Sequence, residues 1–123
     1  MVLVDTSVWI DHLRAGDSHL VNLLHHDEVC LHPFIIGELS CGNLKNRQTI
    51  LGLLNSLSKA IHAEHDEVML LIERNALMGK GIGYVDSHLL ASAKLGNNTR
   101  LWTRDLRLSA IAKSLSIGYQ ENA

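Results

Sequence analysis

The chain reads as an α/β protein, a three-layer α/β/α arrangement around a short, mostly parallel central sheet. Three observations predict it. Short apolar runs stand at Val2-Leu3-Val4, Val29-Cys30-Leu31 and Leu101-Trp102-Thr103. Longer stretches with helical periodicity separate them, and strands alternating with helices favour a parallel sheet covered on both faces. The 123 residues are 46% hydrophobic and 20% charged, which suits one globular core and is too little chain for two. A single domain over residues 1–123 is expected.

Val2-Leu3-Val4 ends at Asp5 and reads as a buried parallel strand. Thr6 or Ser7 can cap the helix that follows, whose stripe is Val8, Trp9, His12 and Leu13 and which Gly16 breaks. Trp9 on that stripe reads as core. Asp17 or Ser18 caps a second helix with Leu20, Val21, Leu23 and Leu24 on its apolar face. Val29-Cys30-Leu31 is the second strand. Pro33, well suited to a first helical position, opens a helix that runs to about Gly42.

Residues 44–58 predict a helix through Ile50, Leu51, Leu53, Leu54 and Leu57, and residues 60–63 a short strand. A helix over Asp66 to Met78 leads into a flexible loop of Gly79, Gly81 and Gly83. Tyr84 to Leu95 is helical and stops at Gly96-Asn97-Asn98. After the strand Leu101-Trp102-Thr103, Asp105 starts a helix to about Leu115, and Ile117-Gly118-Tyr119 reads as a last edge strand. The tail Gln120 to Ala123 reads as frayed.

Eleven basic and 13 acidic residues leave a formal charge of −2, which excludes a protein that holds nucleic acid by bulk positive charge. Cys30 and Cys41 are too few for a disulfide scaffold and point to a reducing cytoplasm. The N-terminus has no basic segment and no long apolar segment of a signal peptide, and no uncharged apolar run approaches the roughly 18 residues of a membrane span. The chain therefore reads as a complete small bacterial-type cytoplasmic protein.

Four acids occupy addresses that suit chemistry. Asp5 ends the first strand and Asp105 follows the strand at 101–103, and ligands of open α/β sheets bind beyond the carboxyl ends of strands. The same two addresses suit helix N-caps. Helical spacing sets Glu38 beside Phe34, Ile35 and Cys41, where a carboxylate is costly unless it is paired or coordinated; the alternative is a surface Glu. Asp86 shares a face with Leu89, Leu90 and Ala93, or serves as a first-turn helix acid. Four carboxylates converging on one cleft would repel each other and take up protons, which a divalent cation relieves. Oxygen ligands alone suit Mg²⁺ or Mn²⁺, and such a site can polarise a phosphodiester and activate a water. The hydroxyls of Thr6, Ser7 and Thr103 either orient that water or cap helices.

Other chemistries fit less well. An aspartate-nucleophile phosphatase wants a carboxylate two residues after Asp5, where Ser7 stands. Gly79-x-Gly81-x-Gly83 lacks the setting of a dinucleotide loop. Eight histidines invite zinc, but His62-x-x-His65 is the one close pair of interest and no zinc-finger spacing occurs. Most of these histidines read as surface residues, and a helix turns His88 to a different side from Asp86.

The opening Met1-Val2-Leu3-Val4-Asp5-Thr6-Ser7-Val8-Trp9-Ile10 resembles the start of PIN-domain proteins, specifically VapC-type toxins of bacterial type II toxin–antitoxin pairs. Glu38-Leu39 with Gly42, Gly83 to Ala93 around Asp86, and Leu101-Trp102-Thr103-Arg104-Asp105 resemble the family's later acidic blocks, in order and across essentially the whole chain. The resemblance implies a Mg²⁺- or Mn²⁺-dependent endoribonuclease cutting structured RNA. It implies catalytic roles for Asp5, Glu38, Asp86 and Asp105, with metal binding foremost at Asp5 and Asp86. It also implies a cognate antitoxin protein and a homodimer. A non-catalytic PIN-like module that binds RNA or a protein partner is the alternative.

Among the scattered cations, Arg104 and Arg107 flank Asp105 and Lys80 precedes Asp86, and these three are the candidates for RNA phosphates, against ordinary surface charge. The Leu-rich helices of residues 17–57 can form an apolar groove for an antitoxin helix, or ordinary core. Setting the four candidate ligands aside leaves the rest of the chain at a formal +2, so the surface that RNA meets need not be acidic.

Overall fold

Four strands, β1 (Val2–Val4), β2 (Val29–Leu31), β3 (Ser58–Lys59) and β4 (Arg100–Trp102), form one sheet in the order β3-β2-β1-β4. The structure is a computed structural model and describes residues 1–121. Every strand pair is parallel, with Leu3 opposite Cys30 on one side and Leu101 on the other. Among the described residues the helices are α1 (Thr6–Ala15), α2 (Ser18–His25), α3 (Pro33–Ser40), α4 (Arg47–Ser56), α5 (His65–Arg74), α6 (Tyr84–Leu95) and α7 (Leu106–Ser114).

All three residues of β1 and all three of β2 are buried. Successive side chains of a strand point to opposite faces, so this pattern means that both faces of the sheet are covered. That is the three-layer α/β/α arrangement expected from the alternating pattern. α1 packs on α3 and α3 on α4, while α5 packs on α6, and both α6 and α7 pack on β4. Leu3, Leu31, Ile35, Leu89, Leu101 and Trp102 are wholly enclosed, and Trp9 is also buried, as its place on the stripe of α1 suggests. α6 is buried without interruption from Ser87 to Ala93, so it is a central helix rather than a surface one.

The strand order creates the site's location. From β1 the chain moves outward to β2 and β3, then returns to place β4 on the other flank of β1. The boundary between β1 and β4 is therefore a topological switch point, the place where open α/β sheets bind ligands beyond the carboxyl ends of their strands.

Several boundaries differ from those expected. The helix expected over 44–58 covers only Arg47–Ser56. Asn46 lies in the left-handed region (φ 52°, ψ 46°), and Leu57 is extended because Ser58 and Lys59 pair with Cys30 and Leu31. The third strand is thus at 58–59 rather than 60–63, with Ala60 N–H still donating to the Leu31 carbonyl at 2.9 Å. α5 starts at His65, where the Glu67 carboxylate accepts the Glu64 N–H at 2.8 Å, and it stops at Arg74, before Ala76 at φ 50°. The edge strand expected at 117–119 is a single parallel bridge between Leu101 and Gly118. Asn122 and Ala123, at the end of the tail read as frayed, lie outside the described residues. No helix among the described residues is long and apolar enough to cross a membrane. Cys30 is buried and Cys41 exposed, both as free thiols.

Candidate active site

Asp5 follows the last residue of β1 and closes the first turn of α1 through its carbonyl, which accepts from Val8 N–H at 3.1 Å and Trp9 N–H at 3.2 Å. Its side chain does not cap the helix. The carboxylate turns instead toward β4, where Oδ2 accepts from Thr103 Oγ1 at 2.7 Å and from Ser7 Oγ at 2.9 Å. Oδ1 accepts nothing from the described residues. Asp5 is 7% exposed, so these hydroxyls stabilise a charge largely withdrawn from water.

Thr103 leaves the sheet just after β4, which frees its side chain to reach Asp5. The same hydroxyl accepts the Asp105 N–H at 3.1 Å, while Ser7 Oγ accepts the Arg104 N–H at 3.1 Å. Asp105 does cap α7, with Oδ1 accepting from Leu108 N–H at 3.0 Å. One of its oxygens is thus committed to the helix. The hydroxyls of Thr6, Ser7 and Thr103 all take part in the site's hydrogen bonds rather than capping helices.

Glu38 departs from the expected buried position. It is exposed, because Ile35 and Leu39 occupy the inward face of α3, at 0% and 3% exposure. It is nonetheless tied to the crevice, since Thr6 Oγ1 in the first turn of α1 donates to Glu38 Oε1 at 2.8 Å. Asp86 lies in the first turn of α6, half-buried, with Oδ2 3.4 Å from the donating Gly83 N–H. Burial pushes its carboxyl up from the ordinary range. The Gly83 N–H opposes that rise, and the charges of Asp5, Asp105 and Glu38 add to it. Asp5 after β1, Glu38 of α3 and Asp105 after β4 are thus the acids whose charges bear on Asp86 of α6.

As they stand, no three His, Cys, Asp or Glu side chains among the described residues are gathered at metal-binding distance. The donor chemistry still suits a hard divalent cation: carboxylate oxygens only, one of them disfavoured as an anion by burial first and then by the other three. Zinc would want nitrogen or sulfur at this point, and none of these acids is joined by either.

The three candidate cations differ in placement. Lys80 is exposed on the loop that leads into α6. Arg107 lies across Gly81, whose backbone is left-handed at φ +81°; a Cβ there would fall 2.5 Å from Arg107 Nη1. Neither cation has an acidic partner among the described residues. Arg104 differs from both in having acidic partners. Its side chain is drawn to Asp11, Asp17 and Glu121, at 2.7, 2.6 and 2.8 Å, so each nitrogen of the guanidinium already holds a carboxylate and its charge is largely answered within the protein. No local pattern joins these residues, which lie 17 to 93 positions from Arg104.

Six of the eight histidines are exposed or partly exposed, in line with the expectation for most of them, while His32 and His88 are buried. His88 does turn to a different side from Asp86. There Nε2 meets Tyr84 Oη at 2.9 Å, and the same hydroxyl meets His65 Nδ1 at 2.5 Å. His32 Nδ1 caps α3 by accepting the Phe34 N–H at 3.0 Å. Burial and the neighbouring His62 and His88 push its pKa down to about 4. Separately, an open groove of about 700 Å³ runs between α1, α3 and α4, lined by Ile10, Leu13, Leu39, Leu44 and Ile50 with Glu38 at its edge.

A family model described as "PIN domain" matches residues 2–114, which takes in all four acids and the whole sheet. The chain belongs to the PIN-domain family. This PIN domain is also similar to two proteins named Ribonuclease VapC32, from Mycobacterium tuberculosis strains H37Rv (ATCC 25618) and CDC 1551 / Oshkosh. It is 48% identical to each over 121 residues, covering 98% of both chains. Glu121, one of the three carboxylates on Arg104, lies beyond the segment matched by the PIN-domain model.

Proposed function

We propose that residues 1–123 form a single PIN domain acting as a metal-dependent endoribonuclease, the toxin of a toxin–antitoxin pair. The observation that carries this reading is the β1–β4 switch point, where the Thr103 hydroxyl joins the turn before Asp105 to Asp5 at 2.7 Å and the Thr6 hydroxyl ties in Glu38 at 2.8 Å. The end-to-end likeness to proteins named Ribonuclease VapC32 supports RNA as the substrate class.

Asp5 and Asp86 are the principal metal ligands in this reading, with Glu38 and Asp105 completing the acidic set. Mg²⁺ or Mn²⁺, when bound, supplies Lewis-acid polarisation of the scissile phosphodiester and activation of a water. The chain's own part is positional. Thr103 and Ser7 hold Asp5 by one oxygen and leave the other without a hydrogen-bond partner among the described residues. Thr6 holds Glu38 in the same way. Lys80 and Arg107, at the loop before Asp86, neutralise RNA phosphates on approach.

The partners follow from the family. An antitoxin segment occupying the groove between α1, α3 and α4 would end beside Glu38 and so obstruct the crevice. A homodimer and a cytoplasmic location complete the proposal; sedimentation of the isolated protein tests the dimer.

The deciding experiment compares RNA cleavage by wild type and Asp5→Asn in Mg²⁺ or Mn²⁺, then in chelator. Cleavage should require both the carboxylate and the metal. Undiminished cleavage by the variant, or in chelator, would overturn the mechanism. RNA binding without any cleavage would favour a non-catalytic module instead.

A further inference from the structure

Arg104 stands between two residues of the crevice, yet its side chain reaches away toward α1, the start of α2 and the end of the chain. Nη1 donates to Asp11 Oδ2 at 2.7 Å, Nη2 to Asp17 Oδ2 at 2.6 Å and Nε to Glu121 Oε1 at 2.8 Å. Each nitrogen of the fork has a carboxylate of its own. The guanidinium carbon lies 5.5 Å from the centre of the Trp102 ring, and Trp102 Nε1 donates to the same Glu121 oxygen.

The anchors are themselves fixed. Asp17 Oδ1 caps α2 by accepting the Leu20 N–H at 2.9 Å, and its own N–H donates to His12 Nδ1 at 3.0 Å. Tyr119 holds the approach to Glu121, with Oη 2.6 Å from His19 Nε2 and its N–H donating to the Leu101 carbonyl at 2.9 Å. An exposed ion pair by itself contributes little to stability. This cluster differs because it continues inward. The Arg104 N–H donates to Ser7 Oγ and the Asp105 N–H to Thr103 Oγ1, and both hydroxyls donate to Asp5 Oδ2.

We propose that Arg104 is a positioning residue, and that residues 119–121 are the strap that completes its clamp. The guanidinium pins the Thr103–Asp105 turn from behind. The turn then presents the Thr103 hydroxyl to Asp5 and the Asp105 carboxylate to the crevice. Three carboxylates against the guanidinium groups of Arg104 and Arg14 still leave this patch negative, which directs an RNA backbone away from it and toward Lys80 and Arg107. The inference rests on the acidic crevice being the catalytic site.

Arg104→Lys and Glu121→Ala, each in the full chain, test it well below the melting temperature of each variant. Lys keeps the charge but loses the planar fork, so it should not rescue. Amide exchange at Arg104 and Asp105 should rise about tenfold in both variants as the turn loosens. kcat should fall about tenfold with KM unchanged, as misplacement of catalytic groups costs. Unchanged exchange and unchanged kcat in Glu121→Ala would overturn the strap. A raised KM with intact kcat in Arg104→Lys would make Arg104 an RNA contact and overturn positioning. If wild type shows no metal-dependent cleavage, the catalytic reading fails by itself, and amide exchange still decides whether the clamp orders the turn.

Discussion

Thr103 Oγ1 donates to Asp5 Oδ2 at 2.7 Å, joining residues 98 positions apart across the boundary of β1 and β4. This bond holds a carboxylate that is 7% exposed, and a hydrogen bond to a charged group contributes more than a neutral one. Thr103→Val should therefore destabilise the fold by about 2 kcal/mol. Thr103→Ser, which keeps the hydroxyl, should lose much less. Urea denaturation of the pair separates loss of the bond from loss of the methyl.

Asp86 tests the charge of the crevice. Its carboxyl is raised first by burial and then by Asp5, Asp105 and Glu38, against the Gly83 N–H. The folded state therefore holds this proton more tightly than the unfolded state does. As pH rises through the raised value, deprotonation costs the folded state more, and stability falls. Asp86→Asn should melt above wild type at pH 7 and lose cleavage, with the stability gap closing as pH approaches the ordinary carboxylate range. Mn²⁺ should raise the melting temperature of wild type more than that of the variant. Calorimetry with and without metal reads both effects.

His32 predicts a second pH dependence, of opposite sign. Burial, with His62 and His88 nearby, lowers its pKa from 6.5 to about 4. Below pH 6.5 the unfolded chain takes up the proton and the folded chain does not, so stability falls as pH is lowered toward 4, by about 3 kcal/mol from this group. His32→Asn keeps a side-chain acceptor for the Phe34 N–H and removes the titration. Its stability should change less than that of wild type between pH 6.5 and pH 4 in denaturant titrations.

Arg107 and Lys80 predict the salt dependence of RNA binding. Each phosphate contact removed should lower the slope of log K against log salt by about 1. Arg107→Ala and Lys80→Ala should each do so, and Glu121→Ala should not. Gly81→Ala should imitate Arg107→Ala, since its Cβ would fall 2.5 Å from Nη1 and force that side chain to move. Filter binding over a range of salt concentrations checks all four variants.

Local reading served the fold well wherever one signal governed. Val2-Leu3-Val4 and Val29-Cys30-Leu31 announce buried strands, and the fit of Pro33 to a first helical position marks the start of α3. It failed where pairing overrode periodicity. Ser58 and Lys59 carry little strand signal, yet β2 recruits them and shortens the preceding helix. The strand-end addresses of Asp5 and Asp105 were legible too, but whether each side chain caps its helix was not. Asp105 does and Asp5 does not, because only Asp5 has Thr103 and Ser7 waiting across the sheet.

By itself the amino-acid sequence determined the α/β class, the parallel strands, the four acidic addresses and the resemblance to PIN-domain proteins. All of these depend on composition, periodicity and short motifs, whose physics acts over a few residues. Only the tertiary structure decided that β1 lies between β2 and β4, that Glu38 stays exposed and that His32 is buried. It also gathered three carboxylates around Arg104, which no local pattern of the chain announces. A guanidinium answers to whichever carboxylates packing brings to it, and those of Asp11 and Asp17 arrive from 93 and 87 residues away.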